Sequence, residues 1–279
     1  MLIKELIKED YIKIDKNKSI SELIGLLKLT NQKAALVFDD NKFIGVSTKH
    51  LLIKTKLDPT KLKVEKVVIK VPILNGSEDI KEAARLLYTS ASPILPVIER
   101  KRLLGIVGCI EIISQLKYSD DSHKLIKQIM SPEPIHIEET DKLGTVINIM
   151  REKHISRLPI VNKKGILIGV ISMRDILEKY HLFQQSKSEA RGDGGIGARG
   201  PKAEKAFTPE RTDFASYPAV NLASPDVITA EKNDTVSHIV GLMENNDISS
   251  VILVEKEIPI GIVTARDLLR LFLTDNITY

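Results

Sequence analysis

The stretch GVISMRD at 169–175 and its near copy GIVTARD at 261–267 each set a hydroxyl and an acid three residues apart, directly after an apolar run. These are Ser172 with Asp175 and Thr264 with Asp267; Arg174 and Arg266 stand immediately before the acids. Where a strand closes and a helix begins, the hydroxyl caps a free helix amide and the acid turns back to the cap's own N–H. Such a box stabilises a helix start by about 1 kcal/mol. The same groups can also hold a ligand. Unpaired amides at a helix start favour a phosphate or another anion. An outward-turned aspartate accepts both hydroxyls of a ribose, the Ser or Thr hydroxyl meets a phosphate oxygen, and each arginine adds a positive donor. Residue physics leaves cap and ligand contact evenly matched, and both can hold at once.

The corner occurs four times, as KFIGVSTKHLL at 42–52, RLLGIVGCIEII at 102–113, ILIGVISMRDIL at 166–177 and IPIGIVTARDLL at 258–269. Their glycines, Gly45, Gly105, Gly169 and Gly261, are 60, 64 and 92 residues apart. Ahead of each corner lies an apolar stripe at helical spacing. It reads Ile20, Leu23, Ile24, Leu27 in the first repeat and Ile80, Ala84, Leu87 in the second. In the third it is Leu143, Val146, Ile147, Met150, and in the fourth Val236, Ile239, Val240, Met243. Two apolar runs joined by a turn follow, as in RLPIVN–KKG–ILIGVIS. Each unit is therefore predicted to be strand, helix, two strands in a hairpin, and helix. A unit of about 60 residues has a marginal core alone, so neighbours should pair, first with second and third with fourth.

The predicted blocks are 1–60, 61–119, 120–180 and 218–279, an α+β fold of sandwich-like repeats. The long third spacing is explained by 181–217, with five glycines in 192–200, which cannot bury enough apolar area to order itself and is expected to be a mobile insertion. A lid or partner-binding role is the other reading of it.

Composition excludes more than it assigns. A net charge of +4 from 41 basic and 37 acidic residues, with no basic block, gives no footprint for nucleic acid. One cysteine, Cys109, cannot form an intrachain disulfide, and the six histidines show no metal-ligand spacing. No apolar run is long enough to cross a bilayer, and the first residues lack a cleavage-site pattern; a cytoplasmic location is expected. No nucleophile–base pair or paired carboxylates stand out, so an enzyme is not expected.

With four phased corners, two of them complete, the chain resembles CBS domain proteins, specifically a four-repeat chain of two Bateman modules like the gamma subunit of AMP-activated protein kinase and its archaeal stand-alone relatives. The resemblance implies Asp175 and Asp267 as ribose ligands, with Ser172 and Thr264 beside them. It implies Arg157, in HISRLPIV, as a phosphate contact next to Ser156, with Arg174 and Arg266 as further cations. It places adenine against an early short strand, at Ile135 or Ile137 and at Val227 or Ile228. The first two repeats depart from the pattern. Leu51 replaces the acid after Thr48, and Gly108 replaces the hydroxyl before Glu111.

The expected function is a non-enzymatic adenine-nucleotide sensor (AMP, ADP or ATP as regulatory ligand, no metal and no catalytic cofactor). The ligand would lie between repeats 3 and 4 and act through module arrangement on a regulated protein or a second copy of the chain. The alternatives are a structural or interaction module without nucleotide, an S-adenosylmethionine-binding regulator and a nucleic-acid-binding regulator.

Overall fold

The computed structural model describes residues 1–30, 32–54, 62–177, 179 and 214–273. The expected insertion lies outside them except for 214–217.

Each repeat is organised on a hairpin. In repeat 1, β1 (Ile12–Asp15) runs parallel to β2 (Ala34–Asp39), which turns back into β3 (Lys42–Thr48). Helix α1 (Ile20–Leu29) connects β1 to β2, and α2 (Lys49–Lys54) leaves β3. Helix α1 starts at a Ser19/Glu22 capping box and buries all four residues of its predicted stripe. Repeat 2 has α3 (Ile80–Ser90), β4 (Ile94–Glu99), β5 (Arg102–Gly108) and α4 (Cys109–Ile113). Its leading strand is reduced to one parallel bridge, Leu74 to Val97. The edge β6 (Ser131–Pro132) precedes repeat 3, which has β7 (Ile137–Glu138), α5 (Leu143–Glu152), β8 (Arg157–Val161), β9 (Leu167–Ser172) and a helix α6 over 173–177. Repeat 4 has β10 (Thr229–Ala230), α7 (Val236–Asn245), β11 (Ser250–Glu255), β12 (Ile258–Thr264) and α8 (Ala265–Leu269).

The repeats are tied together through their lead-in segments. Lys8, ahead of repeat 1, pairs with Ile106 of repeat 2, and Ile69, ahead of repeat 2, pairs with Val46 of repeat 1. In the second half, Ser131–Pro132 adds to β12 and Ser224 pairs with Val170. These crossings explain the four repeated glycines. A Cβ on Gly45 would sit 2.3 Å from the Ile69 carbonyl oxygen, and one on Gly105 2.3 Å from that of Lys8. At Gly169 and Gly261 the corresponding carbonyls, Ser224 and Ser131, would be 3.2 and 3.1 Å away. Glycine is needed where a neighbouring backbone crosses.

Sheets pair the repeats in one direction and helices in the other. One core joins repeats 1 and 3 (Leu23, Leu27 and Val37 with Val146, Met150 and Ile160), and a second joins repeats 2 and 4 (Leu87, Val97 and Ile112 with Ile239, Met243 and Leu268). A small third cluster, Leu36 and Val46 with Ile94 and Ile106, seals the hairpins of repeats 1 and 2. Neighbours along the chain thus share strands, and alternate repeats share helical faces.

Candidate functional site

Both complete corners form their capping boxes. Asp175 Oδ2 accepts the Ser172 N–H at 2.7 Å and its hydroxyl at 2.7 Å. Asp267 Oδ2 accepts the Thr264 N–H at 2.8 Å and its hydroxyl at 2.6 Å. The hydroxyl oxygens in return accept the amides of Asp175 at 3.4 Å and Asp267 at 3.2 Å. Every one of these bonds to the carboxylates ends on a single oxygen, Oδ2. The helix beyond the repeat 4 corner is only five residues long, Ala265–Leu269, so little macrodipole is available there to attract an anion.

The corners of repeats 1 and 2 differ as their sequences do. Thr48 Oγ1 meets the Leu51 amide at 3.4 Å with no acid to reciprocate. Glu111 accepts the Gly108 N–H on Oε2 at 3.0 Å and pairs through Oε1 with Lys8 Nζ at 2.5 Å, so both of its oxygens are engaged, where each aspartate of the complete corners uses only Oδ2. Cys109, next to it, has its thiol pushed up to about 12 by burial, which leaves it a protonated, unreactive group.

Arg157 opens β8 at the contact between repeats 3 and 4. Its Nη1 donates to the Ser250 carbonyl at 3.2 Å, and Ser250 holds the same position in repeat 4 that Arg157 holds in repeat 3. The guanidinium is part-buried and forms no ion pair among the described residues. Burial lowers its pKa from the ordinary value, the nearby charge of Arg174 lowers it further, and Asp175 opposes them. Beside it the buried Ser250 hydroxyl has no hydrogen-bond partner. Such groups are costly to bury unmatched.

The other expected contacts are more dispersed. Arg266 turns toward repeat 2, where its guanidinium lies 4.9 Å from the centre of the Tyr88 ring and donates to the Tyr88 carbonyl at 3.0 Å. Arg174 faces repeat 1, lining a crevice with Lys28 and Lys49. Ser156 is exposed, and its carbonyl accepts the Met173 N–H at 2.8 Å. Ile135 is 41% exposed and Ile137 2%, so Ile135 offers its side chain to the surface while Ile137 belongs to the core. Val227 and Ile228 are half-buried just before β10. Sequence reasoning missed the roles of Ser250, Tyr88 and Lys8. Ser250 carried a weak signal, its alignment with Arg157; Tyr88 and Lys8 act across distances that no local pattern encodes. Among the described residues no cluster of His, Cys, Asp and Glu could hold a metal ion, and no helix is long and apolar enough to cross a membrane.

Comparison with known proteins places this architecture. The CBS domain family matches residues 126–182 and 219–274, which lie in repeats 3 and 4. Protein MJ1225 of Methanocaldococcus jannaschii is 25% identical over 194 residues, 64% of this chain and 69% of that one. Its crystal structure, described as that of a proposed archaeal homolog of gamma-AMPK, superimposes over 98% of this chain and all of that one with a TM-score of 0.79 at 18% identity. The fold of all four repeats is therefore that of MJ1225. A second protein of the same organism, MJ1404, is 22% identical over 96% of this chain, which spans 61% of its length.

Proposed function

We propose that the chain is a non-enzymatic regulatory protein that binds an adenine nucleotide between repeats 3 and 4. Asp175 and Asp267 would hold the ribose, and Arg157 would hold the phosphates. The observation that carries this reading is the part-buried Arg157 guanidinium, which has no carboxylate ion-pair partner among the described residues, is near a second cation and stands beside the residue whose buried hydroxyl is unsatisfied. A phosphate would supply the counter-charge that Arg157 lacks, since bonds to ionised groups are roughly twice as strong as neutral ones. The capping boxes are compatible with sugar binding because they occupy Oδ2 and leave Oδ1 of each aspartate to accept ribose hydroxyls. Ile135 and the half-buried Val227 and Ile228 would supply apolar surface to the base. S-adenosylmethionine shares the adenosine but brings a sulfonium to Arg157, which disfavours it. Similarity to a protein described as a proposed gamma-AMPK homolog agrees with a sensing role. The ligand would act by favouring one arrangement of the two modules, read by a regulated protein or a second copy.

The competing reading, an interaction module whose corners are only capped helices, has the completed boxes in its favour. Calorimetric titration of AMP, ADP, ATP and S-adenosylmethionine decides between them. Saturable nucleotide binding that is lost in the Asp175→Ala/Asp267→Ala double variant and weakened at least ten-fold by Arg157→Ala is the expected result. A wild-type chain that binds none of the four would leave the interaction reading.

A further inference from the structure

The geometry points to a second ligand site in the other half of the molecule, a rim cavity between repeats 1 and 2 that takes a small zwitterion of the α-amino-acid class with an apolar side chain. The cavity measures about 340 Å³, within the range of small-molecule sites. It lies at the turn ends of the β2–β3 and β4–β5 hairpins. Phe43, in its wall, is five residues before Thr48 at the corner of repeat 1, which along a strand is about 16 Å. The site is therefore separate from the corners, where Leu51 offers no acid in repeat 1 and Glu111 pairs with Lys8 in repeat 2.

Its walls divide by chemistry. The apolar part comes from both repeats, with Ile14, Phe38 and Phe43 on one side and Ile98 and Leu103 on the other. Phe38 and Phe43 form an edge-to-face pair with centroids 5.8 Å apart, a firm surface for an aliphatic or aromatic group. Two lysines, Lys13 and Lys101, line the same cavity. Neither forms an ion pair among the described residues; Lys13 Nζ instead rests 5.5 and 5.6 Å from the ring centres of Tyr11 and Phe38. They are placed to take a carboxylate. Two carboxylates complete the lining. Asp15 is engaged by the Asn17 amide at 2.7 Å, whereas the Asp40 side chain has no partner among the described residues and lines the cavity next to Asn41. Asp40 is thus available to a ligand ammonium. Two cations and two anions around an apolar floor match a ligand carrying both charges and disfavour a polyanion, which would meet Asp40 and Asp15.

The test is calorimetric titration of the whole chain with L-phenylalanine and L-leucine, alongside phenethylamine and 3-phenylpropionate, which each keep one charge. One of the amino acids is expected to bind saturably, and its single-charge analogues at least ten-fold more weakly. Lys13→Met keeps the aliphatic stem over the rings, and Lys101→Gly suits the left-handed backbone there (φ +67°). Both should weaken binding at least ten-fold, with melting temperatures confirming that the variants fold. The Asp175→Ala/Asp267→Ala variant should bind the amino acid as the wild type does, which keeps this site distinguishable from the nucleotide site. Failure of both amino acids to bind, equal binding of a single-charge analogue, or loss of AMP binding in Lys101→Gly would overturn the assignment.

Discussion

At the residue scale, the four repeated glycines and the two aspartates do different work, although Gly169 and Gly261 lie only six residues before Asp175 and Asp267 in the same motif. The glycines are steric. Gly105→Ala would put a methyl group 2.3 Å from the Lys8 carbonyl oxygen and 2.5 Å from Ile7 Cγ2, and the backbone must move because the nearest atom belongs to it. Loss of about 1–3 kcal/mol is expected from such overpacking, read as a lower midpoint in urea denaturation. Gly25→Ala, in the middle of α1 with no atom within 4 Å of the added Cβ, should instead be neutral or slightly stabilising, since alanine is the better helix former. The aspartates are electrostatic, and each divides its oxygens between its own helix and whatever lies outside. That duality explains why the motif could be read in the sequence as either a cap or a ligand contact. The alternatives use the same residue types at the same spacing, and only the direction of each lone pair separates them.

At the scale of elements, the stripes and hairpins were legible because periods of 3.6 and 2 are local properties. Leu23, Leu27, Val146, Met150, Ile239 and Met243 are all buried where their spacing predicts. The leading strand of repeat 2 was not legible, since a single bridge at Leu74 has no period. Nor were the crossings of Lys8, Ile69, Ser131 and Ser224, which join segments far apart in sequence. The arginines of the two complete motifs show the same limit, for both reach toward the opposite half of the molecule. Arg266 on Tyr88 is a contact between α8 and α3, so its use by a nucleotide would compete with that contact. Exposed cation–π pairs are worth about 0.5–1 kcal/mol. Tyr88→Ala should therefore tighten nucleotide binding by about two- to five-fold while slightly lowering the melting temperature. Unchanged or weaker binding would mean that Arg266 stays on repeat 2 and takes no part in holding phosphate.

For the whole molecule, coupling between repeats 2 and 4 includes an ion pair between Lys117 and Glu244, both part-buried. The Glu244 hydrogen bond raises Lys117 above its ordinary value. Burial would raise Glu244, but Lys117 and Ser114 outweigh it and leave the carboxyl below its ordinary value. The contribution of Glu244 to stability is present above 4.5, its ordinary value, and lost as pH falls through its lowered one. That of Lys117 is present below 10.5 and lost as pH rises through its raised one. Denaturation midpoints of wild type and Lys117→Met, compared from about pH 7 down to about pH 3, should converge in acid. A gap that stays constant would assign the effect to packing.

The pairing of cores has a consequence for synthesis. Each core draws one repeat from each half of the chain, so the helical faces of repeats 1 and 2 have no cover when they leave the ribosome. Translation of the second half at about 5–20 residues per second leaves those faces waiting for roughly 10–30 seconds. During that interval the nascent first half is a sticky intermediate. Chaperone demand should fall on it, and it should lessen only once repeats 3 and 4 have emerged.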